Sequence, residues 1–77
     1  MKALNYRIFL RKEPEGGYTV TVPSLSGCVT YGETIDEAVK MAKEAIELYI
    51  ETLMANGDDI PIDDNILETT IAVESNV

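Results

Sequence analysis

The chain has 77 residues, a single cysteine, no histidine and no tryptophan, with six Lys/Arg against fourteen Asp/Glu for a formal charge of −8. This length holds one small domain over residues 1–77 with a marginal core, so oligomerisation or partner binding is an expected source of stability. One cysteine excludes an intramolecular disulfide and a Cys-rich zinc site, and the lack of histidine removes the commonest general base and metal ligand. No secretory pattern opens the sequence, because Asn5 and Arg7 interrupt Met1–Leu10, and no apolar run is long enough to span a membrane. A soluble, cytoplasmic protein without cofactors or metals is expected.

Leu4, Tyr6, Ile8 and Leu10 alternate with Asn5, Arg7 and Arg11, the period of a strand with one buried face. Phe9 falls on the polar face, which suggests that this face is partly covered or used. Glu13-Pro14-Glu15-Gly16-Gly17 supplies turn chemistry. Tyr18, Val20 and Val22 alternate with Thr19 and Thr21 in a second strand that ends at Pro23 and completes an antiparallel hairpin. Pro23–Gly27 reads as a bend, and Cys28–Tyr31 as a short third strand broken by Gly32.

Thr34-Ile35-Asp36-Glu37 fits a capping box with Thr34 as N-cap. At 100° per residue, Ile35, Ala38, Val39, Ala42, Ala45, Ile46, Tyr49, Ile50 and Leu53 fall within an arc of about 140°. The charged residues take the opposite arc. The helix should run to Ala55 or Asn56 and stop at Gly57. Asp58–Leu67 is an acidic connection, and Glu68–Glu74 returns to strand alternation, with Ile71 and Val73 on one face. The expected fold is α+β, in the order strand, strand, strand, helix, strand. One antiparallel sheet carries the helix on one face and leaves its other face open.

Val22–Glu51 reads VPSLSGCVTYGETIDEAVKMAKEAIELYIE. The elements Pro23, Leu25, Gly27, Cys28, Thr30, Gly32, Thr34, Glu37 and Ala38 at this spacing resemble the HicB family of prokaryotic antitoxins. The resemblance covers essentially the whole chain. It implies a partial ribonuclease-H-like fold and a role in binding and blocking HicA, a small basic toxin that cleaves mRNA with a histidine. Ser24 and Ser26 stand where many members have an acid and a proline. The sequence contains nothing like the DNA-binding segment that longer members append, so operator binding by this chain alone is not expected.

The charge is unevenly placed. Met1–Lys43 is nearly neutral, whereas Glu44–Val77 holds nine acids and no base. Glu47 and Glu51, followed by Asp58 and Asp59, sit toward the negative pole of the helix, where each charge costs about 0.3–1 kcal/mol at low salt, and Glu44 lies one turn before them. They are the candidate toxin-binding residues, standing in for phosphate; the alternative is a solvated helix face supported by Asp36–Lys40 and Lys43–Glu47. Met41 and Leu48 lie outside the main apolar arc and are candidates for self-association, and we expect a homodimer or higher homo-oligomer.

Other chemistries find little support. Cys28 has no neighbouring base to lower its pKa and reads as a small buried residue. The acids at 58–68 lack the alternation and glycine of a calcium loop. Strand one offers no carboxylate for a ribonuclease-H-type metal centre, so no enzyme is expected. The competing reading is an orphan interaction domain, or a nucleic-acid-binding one that uses Arg7, Phe9, Arg11, Thr19 and Thr21 on the open sheet face. Against it stand only two arginines on a −8 chain.

Overall fold

The computed structural model describes residues 3–76. Strands β1 (Phe9–Lys12), β2 (Tyr18–Thr21) and β3 (Val29–Gly32) form one antiparallel sheet in the order β1-β2-β3, followed by helix α1 (Ile35–Ala55) and a single 3-10 turn over Asp63–Asn65. The order of three strands and a helix is as the sequence pattern predicts. β1 is shorter than the alternation from Leu4 suggests, because its partner strand ends at Thr21 and Pro23 has no N–H to extend the ladder.

Leu10 pairs with Val20 and Val20 with Thr30, so these residues share the face under the helix, while Phe9, Thr21 and Val29 share the opposite face. The core on the helix side is small. Val20 packs with Ala38 and Ala42, and Val22 with Leu25 and Cys28, with Tyr6, Ile8, Ala45, Ile46 and Tyr49 half-buried around them. The helix lies over β3 and β2. Its apolar arc therefore reaches past the sheet on the β1 side, and Ile35 and Val39 stay exposed.

The Thr34 hydroxyl accepts from the Glu37 N–H at 3.1 Å, as the capping pattern predicts. The Glu37 carboxylate reaches back to the Glu33 N–H, one residue before the cap. At the other end Asp58 N–H donates to the Leu53 carbonyl and Gly57 N–H to that of Met54, the paired bonds of a Schellman motif with Gly57 at φ +71°.

The last expected strand does not form in the single chain. Residues 66–76 carry no regular secondary structure and join no sheet. The chain returns to the sheet at Arg7, ahead of β1, and the alternating residues beyond Ile66 run on without pairing to the β1 edge.

Candidate functional site

The bend between β2 and β3 is built from two successive turns. Leu25 N–H donates to the Val22 carbonyl and Cys28 N–H to the Leu25 carbonyl, both at 3.0 Å. Between them Leu25 is driven into the core and Pro23 left at the surface. Gly27 takes φ +76° in the second turn, a left-handed conformation that side chains disfavour. The Tyr49 hydroxyl donates to the Ser26 carbonyl at 2.8 Å, which pins the bend to the middle of α1.

Thr30 is half-buried and Gly32 buried in β3, Thr34 caps α1, and Ala38 is wholly buried. The residues of the motif thus meet along one seam, where the bend and β3 pass under the start of the helix. Burial pushes the Cys28 thiol above its ordinary pKa, so it is a neutral packing residue at neutral pH.

Three surfaces remain open. Glu44, Glu47 and Glu51 are exposed and fall within about 60° of one another on the helical wheel. Asp58 and Asp59 continue the acidic character past the helix end, also exposed, with no base in the last turn. Met41 and Leu48 are exposed on α1, Leu48 at 65% beside a groove shared with Gly27, Cys28, Val29 and Leu53. The sheet face away from the helix bears Phe9 at 47% and Tyr31 at 43% exposure, in register with Arg11, Thr19, Thr21 and Val29.

Asp63 is the residue that sequence reasoning missed. It is one acid among several in the Asp58–Leu67 connection, yet its carboxylate accepts from the Ser24 hydroxyl and from the Arg7 N–H. Tyr6 donates its hydroxyl to the Pro61 carbonyl at 2.5 Å, and the Arg7 guanidinium donates to the Ile66 carbonyl at 2.7 Å. The bond from Ser24, then the Arg7 N–H and charge, hold the Asp63 carboxyl below its usual range against an opposing effect of burial. Burial and the neighbouring Asp63 charge raise the Tyr6 pKa. No local pattern distinguishes Asp63 from Asp58, Asp59 or Asp64; only its distance from Pro61 sets it opposite Ser24.

Among the described residues no cluster of three His, Cys, Asp or Glu is arranged to hold a metal ion. No helix is long and apolar enough to cross a membrane.

Residues 6–76 match the family described as the HicB-like antitoxin of bacterial toxin–antitoxin systems. The chain is 45% identical over 64 residues to UPF0150 protein ssr1765 of Synechocystis, covering 83% of this chain and 81% of that one. It is 43% identical over 68 residues to UPF0150 protein Ta0767 of Thermoplasma acidophilum, covering 88% and 97%. Antitoxin HicB of Escherichia coli K12 is 30% identical over 80 aligned positions, covering 96% of this chain and 58% of that longer protein.

Proposed function

Because the chain belongs to the HicB-like antitoxin family of bacterial toxin–antitoxin systems, we propose that it neutralises a HicA-like mRNA-cleaving toxin in the cytoplasm by direct protein binding. One observation carries the binding site in this reading. Glu44, Glu47 and Glu51 form an exposed stripe that Asp58 and Asp59 extend, at the helix end whose dipole opposes them. A row of carboxylates suits a basic surface that otherwise grips phosphates, and it would steer the two proteins together. The protein acts by occupancy and needs no activity of its own. Self-association is part of the proposal, through a surface apart from this stripe; exposed Met41 and Leu48 are one candidate for it.

The test is co-purification with a small basic, histidine-containing protein encoded beside this one, followed by an RNA-cleavage assay. A stable complex that suppresses cleavage is the expected result. Glu47→Lys combined with Glu51→Lys should weaken association at least about tenfold at low salt while the circular dichroism spectrum stays unchanged. Unaltered affinity would remove the stripe from the interface.

The second reading rests on the aromatic and basic register of the open sheet face, where Phe9, Arg11 and Tyr31 stand together. Such a face can stack single-stranded bases. With a net charge of −8, we expect fluorescence anisotropy to detect no binding of RNA or DNA oligomers near physiological salt. Micromolar affinity would put this reading first.

A further inference from the structure

We propose that residues 67–74 of one copy add as a strand to the free edge of β1 in a second copy, and that the exchange is reciprocal, closing a homodimer. The arm has the chemistry of a strand without a sheet. Leu67, Thr69, Ile71 and Val73 fall on one side of an extended chain, and Glu68, Thr70, Ala72 and Glu74 on the other. Leu67 is 95% exposed, Ile71 77% and Val73 79%. Isolated apolar residues at a surface are ordinary, but three on one side of one segment are a buried face in waiting.

β1 supplies the matching edge. Val22 donates to Cys28 across the β2–β3 ladder, so by alternation Val20 faces Thr30, and Thr19 and Thr21 face β1. Phe9 and Arg11 then bond inward, and the N–H and C=O groups of Ile8, Leu10 and Lys12 point out from the edge. Beneath that edge a groove of about 420 Å³ runs between the chain and α1, lined by Leu4, Tyr6, Ile8, Val39, Ile46 and Ile50 among others. A strand laid here with its apolar side toward α1 would fill the groove. Its other side would place Glu68 and Glu74 on the open face, in the row that holds Arg7 and Arg11. In a register that sets Ile71 beside Leu10, one of the two glutamates lies beside Arg7 and the other beside Glu13 at the end of the row. The β3 edge lacks this match, since Val29-Thr30-Tyr31-Gly32-Glu33 contains no base.

The dimensions point to a second copy as the occupant. The exposed surface is 6441 Å², against about 4,650 Å² for a compact monomer of this mass. The excess is about 1,800 Å² per chain, the scale of a specific interface. The radius of gyration is 15.0 Å, where about 11.5 Å describes a compact chain of this length. The long axis of 49 Å fits an arm that leaves the body after Ile66 is fixed at Arg7. Exchange of identical arms buries both grooves at once and leaves no unmatched surface to propagate.

The inference does not rest on the toxin reading, because it is tested on the full chain alone. Analytical ultracentrifugation should show a dimer. Ile71→Asp with Val73→Asp should raise its dissociation constant by more than about a hundredfold, with the far-ultraviolet dichroism unchanged. Leu48→Glu, on the exposed helix face, should leave the dimer intact. In a Cys28→Ser background, a Leu10→Cys chain mixed with an Ile71→Cys chain should be joined by a short bismaleimide. A monomeric wild type, a dimer lost in Leu48→Glu but kept in the arm variant, or no linkage between the two chains where one chain carrying both cysteines links to itself would each overturn it.

Discussion

A methyl group added at Gly32 would lie 2.3 Å from the Ala38 nitrogen and 2.4 Å from its Cα, backbone atoms that move only with the helix. Gly32→Ala should therefore lift the start of α1 off β3, at about 1–3 kcal/mol. Urea denaturation monitored at the helix band checks this, and an unchanged midpoint would mean that the seam is looser than it looks. Asp63 governs a different event. Its folded pKa lies below the ordinary 3.8, so the contribution of its contacts is present above the unfolded value and is lost as pH falls through the folded one. We expect the Asp63 carboxyl resonance to titrate below 3.8, with the signals of Tyr6 and Arg7 shifting in step. Asp63→Asn should abolish that coupled shift, and Tyr6 and Arg7 signals that stay put while the Asp63 carboxyl titrates would detach the loop from its anchor.

At the scale of the element, α1 shows how local determinants make a sequence legible. Thr34, the apolar spacing and Gly57 fix its start, face and end through bonds within a few residues, and the helix runs Ile35–Ala55 as that pattern predicts. The hairpin and bend were equally readable, because Pro23 and the glycines act on their own dihedrals. The alternation at 68–74 carries no such guarantee. A period of two states that a segment is fit to be a strand, whereas a strand exists only beside another. The same gap explains Val39, whose place on the apolar arc was correct. Its exposure depends on α1 sitting over β2 and β3 and leaving β1 uncovered. The acidic stripe of Glu44, Glu47 and Glu51 was legible as a surface, since charge spacing on a helix is local; Asp63 was not, since its partners lie 39 and 56 positions away.

At the scale of the molecule, six hydrophobic residues among those described form the buried core: Val20, Val22, Leu25, Cys28, Ala38 and Ala42. Two of them are alanines, which contribute little apolar area each, so the body is held together as much by the seam under the helix start as by volume. A protein built in this way leaves most of its larger apolar side chains at grooves and edges, where a partner can use them. The −8 charge is concentrated after Lys43, so the two halves of the chain present different surfaces. The sheet side carries Arg7, Arg11 and Lys12, and the outer helix face carries carboxylates. Self-pairing through the first and toxin binding through the second use largely separate surfaces, which meet at Glu47 on the rim of the groove beneath the β1 edge.

The tether from Asp63 to Arg7 and Ser24 also sets an order of events. Most of the pairing in the body joins neighbours along the chain, β1 to β2, β2 to β3 and the helix to β3 and β2, with Tyr6 and Ile8 reaching farther to pack under α1. Such short connections close quickly, while the loop sealed at Asp63 spans more than fifty residues and must wait for both of its ends. The meander and helix are thus complete before the tether closes, and the tether can open while they persist. Opening of the tether would free residues 67–74 while the folded body stays intact, so release of an exchanged arm need not unfold the chain.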